Sequence, residues 1–296
     1  KRTQDIEDLI DEIAALRATL GDEKKIKELI AGQLKEISKK YGLPRRTVIV
    51  AADEVEEYIE EQFIDNYDLS IFLTADGYLK KISQVSLRAA SEQKLKENDK
   101  IIYRHDTVNK SEILVFTDKQ TVYKAKTHEV PDCKASQFGE FLPTFLEMDE
   151  GESVVGIVVT TDYKGYVLFC FENGKIAKIP IDSYQTKQNR KKLINAYSGN
   201  SRLIKVLHFT EETDFAAISS IDKVLVFNSA SISEKSTRSS HGVSVMKLRK
   251  AATLTDVKIA AEMHLSDIKY YKTKNIPATG CFLRSEDSKV QQTSLF

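Results

Sequence analysis

From Tyr67 onward a β-hairpin pattern returns at intervals of about fifty residues, and few folds satisfy such a repeat. In the first unit Leu69, Ile71 and Leu73 alternate before Asp76-Gly77, and Tyr78-Leu79-Lys80-Lys81-Ile82 follows. The same pattern leads from Ile113-Leu114-Val115-Phe116 through Asp118-Lys119-Gln120 into Val122-Tyr123-Lys124. It recurs from Val167-Leu168-Phe169-Cys170-Phe171 through Asn173-Gly174 into Lys175-Ile176-Ala177-Lys178-Ile179, and from Phe215-Ala216-Ala217-Ile218 through Asp222 into Val224-Leu225-Val226-Phe227. Asp-Gly and Asn-Gly between apolar runs predict type I′ turns, whose two central residues need positive φ. Each unit closes with a further apolar strand: Ile101 to Tyr103, Val154 to Val159, Leu203 to Phe209, Val257 to Ala261. A lone hairpin cannot bury both of its faces. The repeat therefore predicts a mainly β, propeller-like fold of about four blades around an axis, with the polar stretches between hairpin and closing strand on the rim. Ser266 to Leu283 is expected to supply a partial closing element, and the polar segment after it to be a disordered tail.

Ahead of the repeat the period is helical. Ile6, Leu9, Ile10, Ile13, Leu16 and Leu20 form one stripe, Gly21 interrupts it, Asp22 can cap a second helix, and Ile26, Leu29, Ile30, Leu34 and Ile37 form the next stripe. Helices so closely joined are expected to fold as an antiparallel or bent pair. Asp53 to Glu61 is a dense acidic run that reads as a linker. The expected organisation is a helical pair over 1–46, a linker over 47–66, the β domain over 67–283 and a tail over 284–296. A start at Lys1, inside an amphipathic repeat and without Met, reads as an expressed fragment.

Three widely spaced cysteines and five scattered histidines match neither a disulfide framework nor a metal-ligand spacing, and point to reduced thiols in a cytoplasmic setting. No apolar run is long enough to span a bilayer, and there is no phosphate-binding glycine loop, nucleophile elbow or H-E-x-x-H. Neither a cofactor nor a catalytic group is expected in this stretch, and nothing in the sequence is placed to activate Tyr184. The formal net charge is zero, from 44 basic and 44 acidic residues, but it is unevenly placed. The segment ending at Asp65 carries 11 basic and 16 acidic residues, leaving 33 against 28 downstream; from Lys164 to Lys205 nine cations face only Glu172 and Asp182. An excess of that kind is the electrostatic footprint of a polyanion partner.

The helical stripes, the Gly-Asp break and Lys40-Tyr41-Gly42-Leu43-Pro44-Arg45-Arg46-Thr47, followed by blades of the Asp-Gly-Tyr-Leu-Lys-Lys type, resemble the end of the coiled-coil arm and the β-pinwheel of bacterial type IIA topoisomerase A subunits, those of gyrase and topoisomerase IV. The likeness runs to about Leu283 and implies a pinwheel that binds and bends duplex DNA for ATP-dependent strand passage. It further implies a nucleophilic tyrosine in an earlier domain, ATP and Mg²⁺ bound by other domains or subunits, and a nucleoid-associated location. The implied partners are double-stranded DNA, a second A subunit, and an ATPase B-type subunit. Gyrase A carries a glycine-rich basic box on its first blade. Here the stretch after Arg88 reads Ala89-Ala90-Ser91-Glu92-Gln93-Lys94-Leu95-Lys96-Glu97, without glycine and with acids, which favours a topoisomerase IV-like or divergent gyrase-like protein.

Phosphate contacts need cations along a surface, since backbone charge supplies most of the affinity for DNA. The candidates are Lys80, Lys81, Arg88, Lys94 and Lys96 on the first unit, Lys178, Lys187, Arg190, Lys191 and Lys192 on the third, and Arg238, Lys247, Arg249 and Lys250 on the fourth. Arg238-Ser239-Ser240-His241-Gly242-Val243 resembles the weaker blade motif of the family. Glu140, Glu147, Asp149, Glu150 and Glu152 make the second rim acidic, so a DNA track is expected to skip it. The tail Gln292-Thr293-Ser294-Leu295-Phe296 resembles the peptide that docks on the bacterial sliding clamp, with Gln292, Leu295 and Phe296 as its anchors and Thr293 where Leu is usual. A protein-interaction propeller is the alternative reading, supported by the neutral charge and the acidic rim.

Overall fold

The computed structural model describes residues 2–43, 64–89, 92–186, 190–249 and 251–287, and the chain divides into two compact units, Lys1–Tyr58 and Ile59–Phe296. The Pro-Arg-Arg-Thr motif, nearly all of the acidic linker and the tail from residue 288 on lie outside the described residues, as do the candidates Lys187, Lys250, Gln292, Leu295 and Phe296. The start of the expected disordered tail is instead ordered, with Asp287 buried and hydrogen-bonded to Tyr271 and Ser266. In the first unit α1 (Arg2–Leu20) ends at Gly21, whose N–H donates to Arg17 O, and α2 (Glu23–Tyr41) starts at Asp22, whose carboxylate accepts from Lys24 N at 2.9 Å. No residue of either helix is buried; the first stripe and Leu29, Ile30, Leu34 and Ile37 of the second are exposed, Ile26 half-buried, so the pair does not bury its stripes against each other.

The second unit is a pinwheel of four four-stranded antiparallel sheets. The first blade is β1 (Asp68–Thr74), β2 (Tyr78–Ser83), β3 (Ile101–Val108) and β6 (Glu140–Phe141). The second is β4 (Glu112–Thr117), β5 (Val122–Lys126), β7 (Val154–Thr160) and β10 (Lys192–Leu193). The third is β8 (Tyr166–Phe171), β9 (Lys175–Pro180), β11 (Leu203–Phe209) and β14 (Val243–Ser244), and the fourth is β12 (Asp214–Ser219), β13 (Lys223–Asn228), β15 (Leu254–Ile259) and β16 (Cys281–Phe282). Every sheet thus has the order closing strand, hairpin, short outer strand. That outer strand is lent by the polar segment of the next unit: β6 follows β5 in the chain yet pairs with β2, β10 pairs with β5, and β14 with β9. Ser266 to Leu283 lends β16 to β13, covering the edge that the last blade would otherwise expose.

Two devices recur in all four blades. A register shift interrupts the pairing of first hairpin strand and closing strand at Leu73/Thr74, Phe116/Thr117, Leu203/Lys205 and Ile218/Ser219. Beside it the next N–H is redirected to the closing segment, from Ala75 to Lys100 O, Asp118 to Ser153 O, Glu172 to Arg202 O and Ser220 to Thr253 O. The hairpin turns differ from the expected type I′. Only the last turn residue takes positive φ, in Gly77 (84°), Gln120 (61°), Gly174 (79°) and Asp222 (54°), while Asp76 and Asn173 do not. This is the three-residue loop, a type I turn followed by a left-handed residue, closed by N–H bonds such as Gly174 to Phe171 O at 2.9 Å. Glycine is required at 174 on a second count, because a Cβ there would lie 2.5 Å from Met246 O.

The hairpin strands are buried on both faces, which explains their continuous apolar runs. Ile113 and Val115 pack toward the first blade with Leu69, Ile71 and Ile157, while Leu114 and Phe116 pack toward the third with Val167, Phe169 and Ile179. Phe116 meets Phe169 and Tyr184 edge-on, with centroids 5.2 and 5.4 Å away. Each such buried side chain contributes about 1.5–3 kcal/mol. Leu168, Cys170 and Ile176 join Phe215, Ala217 and Phe227 between the third and fourth blades.

Candidate nucleic-acid interface

Equivalent positions in the second hairpin strands carry a lysine in three blades, Lys81, Lys124 and Lys178, and Val226 in the fourth. Lys81 donates to Val130 O and pairs with Asp132 Oδ1, both at 3.1 Å, and lies 5.6 Å from the Tyr67 ring. Lys124 pairs with Glu112 at 3.4 Å, reaches Thr186 Oγ1 and lies 5.3 Å from the Tyr163 ring. Lys178 reaches Ser229 O at 3.5 Å and stands 4.3 Å above the Tyr166 ring. Each ammonium therefore grips the segment that the following unit lays across its blade. Where the fourth blade has Val226, the last segment supplies Lys272 to Asp214 instead.

These contacts correct the sequence expectation for three candidates. Lys80 (0% exposed) and Lys81 (3%) are buried, and Lys178 is half-buried over aromatic rings. Lys80 Nζ donates to Ala135 O at 3.0 Å and Lys94 O at 3.2 Å. Burial pushes its ammonium below the usual lysine range, an effect that the neighbouring Cys133 thiol opposes. The sequence shows cations in the hairpin strands but not the segments that cover them, Lys80 on one face of β2 and Lys81 on the other.

The remaining described candidates lie on the segments that cross between blades. Arg88 ends the short helix α3 (Gln84–Arg88) and is exposed; Lys94 and Lys96 are exposed beside it, 4.9 Å from the Phe138 ring and 4.5 Å from the Tyr78 ring. Arg190, Lys191 and Lys192 are exposed on the third crossing segment, at β10. Arg238 is half-buried, 5.9 Å from the Tyr184 ring, and Lys247 and Arg249 are exposed beyond β14. Gly242 has φ 68°, and a Cβ there would meet Ile176 O at 2.5 Å, so the Ser-Ser-His-Gly motif turns tightly against β9. Next to it Ser198 Oγ and His241 Nδ1 are 2.8 Å apart, joining the third and fourth crossing segments. Exposed cations on three equivalent segments, with aromatic rings beneath several, can take phosphates by charge without base-specific geometry.

The acidic rim does not stand apart from them. Asp149 is ion-paired with Lys192, and Tyr123 OH accepts from Asp149 N at 3.1 Å. Nothing in the spacing announces this pair, 43 residues apart in the chain. Tyr184 is fully buried, its hydroxyl donating to Ala196 O at 2.6 Å, and burial holds it far above the usual phenol range. Among the described residues, no group of three or more His, Cys, Asp or Glu is placed to hold a metal, and no helix is long and apolar enough to cross a membrane.

Residues 214–261 match the family model described as DNA gyrase C-terminal domain, beta-propeller. The chain is 27% identical over 208 residues to the DNA topoisomerase 4 A subunit of Bacillus subtilis, covering 69% of this chain and 26% of that protein. It is 24% identical to a probable chloroplastic/mitochondrial DNA gyrase A subunit of Oryza sativa, covering 88% of this chain and 28% of the relative. The chain thus spans about a quarter of the curated relatives it matches. The crystal structure of the C-terminal domain of DNA topoisomerase IV superposes with a TM-score of 0.62 at 19% identity, over 75% of this chain and 76% of that one. The E. coli ParC C-terminal domain does so with a TM-score of 0.53 at 13% identity, over 74% of this chain and 95% of that one.

Proposed function

We infer that this chain, a relative of the A subunits of topoisomerase IV and DNA gyrase and folded as their β-pinwheel, binds and bends duplex DNA to present it for ATP-dependent strand passage. The observation that carries this reading is the recurrence of exposed cations on equivalent crossing segments: Arg88, Lys94 and Lys96, then Arg190 and Lys191, then Lys247 and Arg249. In a whole enzyme of this kind the cutting tyrosine, the ATP and Mg²⁺ sites, the second A subunit, and the ATPase B-type subunit belong to regions outside this chain, and the setting is the cytoplasmic nucleoid. The test is retardation of duplex DNA by the 296-residue chain across a salt series. Binding should weaken steeply with salt, leave the DNA uncut and without covalent attachment, and lose about one unit of salt slope for each phosphate contact removed in Arg190→Gln with Lys191→Gln. Absence of retardation at low salt would favour a protein-interaction propeller, the reading that the neutral net charge and the acidic second rim support.

The tail adds a separate proposal from sequence: Gln292, Leu295 and Phe296 anchor the chain on a sliding clamp, because an apolar pair ending a polar segment suits a preformed pocket. A peptide of Ser285 to Phe296 should bind the clamp and cease to bind when Leu295 and Phe296 are both alanine.

A further inference from the structure

The acidic loop of the second unit reaches the third crossing segment, which carries Arg190, Lys191 and Lys192. Lys192, on β10, is ion-paired with Asp149 and stands 5.3 Å from the ring of Tyr123, which faces it across the strand pair and whose hydroxyl accepts from Asp149 N. Glu147 and Lys191 line the same hollow, of about 330 Å³, together with Lys124 and Glu129. The loop is a built turn. Glu147 takes a left-handed conformation (φ 49°) and Gly151 another (75°), while Met148 N donates to Pro143 O and Glu152 N to Asp149 O. The turn therefore holds Asp149 beside Lys192. Yet Asp149 remains 64% exposed and Lys192 35%, so water reaches the pair and its strength is that of a surface ion pair, small enough for a competing anion to displace.

We propose that the Glu147–Glu152 loop is a built-in competitor for DNA phosphate: Asp149 occupies Lys192 in the free protein, and DNA must displace it to engage this sector. The inference rests on the DNA-binding reading and adds its regulation. It gives a role to an acidic rim loop that reaches into the basic stretch between Lys164 and Lys205. Pairing with Asp149 also holds the Lys192 ammonium above the usual lysine range, so it stays fully charged and ready for exchange at neutral pH. Displacement exchanges one anion for another and leaves the fold intact. Affinity in this sector is then set by competition as well as by the number of cations.

Duplex DNA affinity at low salt, measured on the 296-residue chain and its Asp149→Asn, Lys192→Gln and doubly substituted forms, tests the proposal. Asp149→Asn should bind about two- to fivefold more tightly, Lys192→Gln more weakly, and Asp149→Asn should bring no gain in the Lys192→Gln background. Unchanged or weaker binding by Asp149→Asn overturns the proposal. So does an equal gain in the Lys192→Gln background, which would reveal only a long-range charge effect. If wild type binds DNA and Asp149→Asn is flat, this inference alone fails. If no form binds at low salt, the DNA-binding reading fails and takes this one with it. Binding by Asp149→Asn without binding by wild type supports both.

Discussion

The three stacked lysines show how one residue type serves two purposes in this molecule. A lysine whose stem is buried and whose ammonium finds carbonyls or a carboxylate is part of the packing; one exposed on a crossing segment stays within reach of a polyanion. For Lys81 the expected outcome of Lys81→Ala is a loss of about 2–3 kcal/mol in urea unfolding, from the vacated stem and the unpaired Val130 carbonyl. DNA affinity of the folded variant should change by less than about twofold, because an ammonium already bound to carbonyl and carboxylate is no phosphate site. A stable Lys81→Ala protein with weak DNA binding would restore Lys81 to the interface. Lys80 permits a sign argument. Its folded pKa lies below the ordinary value, so the unfolded chain binds more protons between the two, and wild-type stability rises as pH climbs through that window toward about 10.4. Lys80→Met removes the buried charge and keeps most of the volume. Its stability relative to wild type should therefore be greatest near neutral pH and decline toward pH 10, as read from urea midpoints at several pH values.

The elements divide by how much of their environment is local. The hairpins were legible because Leu69-x-Ile71-x-Leu73, the Asp-Gly and Asn-Gly turns and the about fifty-residue interval are all properties of neighbouring residues. The lent outer strands were not. β6, β10 and β14 are two residues each, Glu140–Phe141, Lys192–Leu193 and Val243–Ser244, too short to show a period, and their partners lie in another unit. For the same reason the burial of Lys80 and Lys81 was not legible, and the Asp149 to Lys192 pair went unseen. The rim cations Arg88, Lys94, Lys96, Arg190 and Lys191 were legible as exposed, since a charged loop without a lender above it stays in water. The last blade depends on the segment ending in β16, which is held by Asp287: its carboxylate accepts from Tyr271 OH at 2.6 Å and Ser266 N at 2.7 Å. Burial alone would raise the Asp287 pKa, but those hydrogen bonds and Arg284 outweigh it and hold the carboxyl below the usual range. Its stabilisation is accordingly present above about pH 3.9 and lost as pH falls through the lower folded value. Asp287→Ala should cost about 1–3 kcal/mol at neutral pH and narrow the difference from wild type on acidification, as followed by urea unfolding. An equal difference at pH 7 and pH 2.5 would show that the carboxylate charge contributes nothing.

At the scale of the whole molecule, the question is whether DNA can follow the rim far enough to cross itself. Bending a site of 20–30 base pairs by 40–90° costs on the order of 1–6 kcal/mol, which phosphate contacts must offset along the entire path. The described cations form separate groups on the first, third and fourth segments, and between the first and third the rim presents Glu147, Asp149 and Glu150. The described residues of the first segment are tied to the blade. Lys94 N donates to Ala135 O, the Lys94 carbonyl accepts from Lys80, Gln84 donates to Ser70 Oγ at 3.0 Å, and Lys100 O accepts from Ala75. Leu87 and Ile101 pack with Phe72 and Ile82 beneath it. Arg88, Lys94 and Lys96 thus stand on described residues tied to the first blade, in a stretch without glycine that also carries Glu92 and Glu97. DNA should therefore be bent over the groups it touches and released between them. When relaxed plasmid is incubated with increasing amounts of the chain and then treated with a type I topoisomerase, the recovered topoisomers should stay centred close to the protein-free control. Progressive accumulation of positively writhed species would mean that the third and fourth segments carry the wrap unaided. In that case neutralising Glu147, Asp149 and Glu150 should extend it, because the only acidic gap in the described track would be gone.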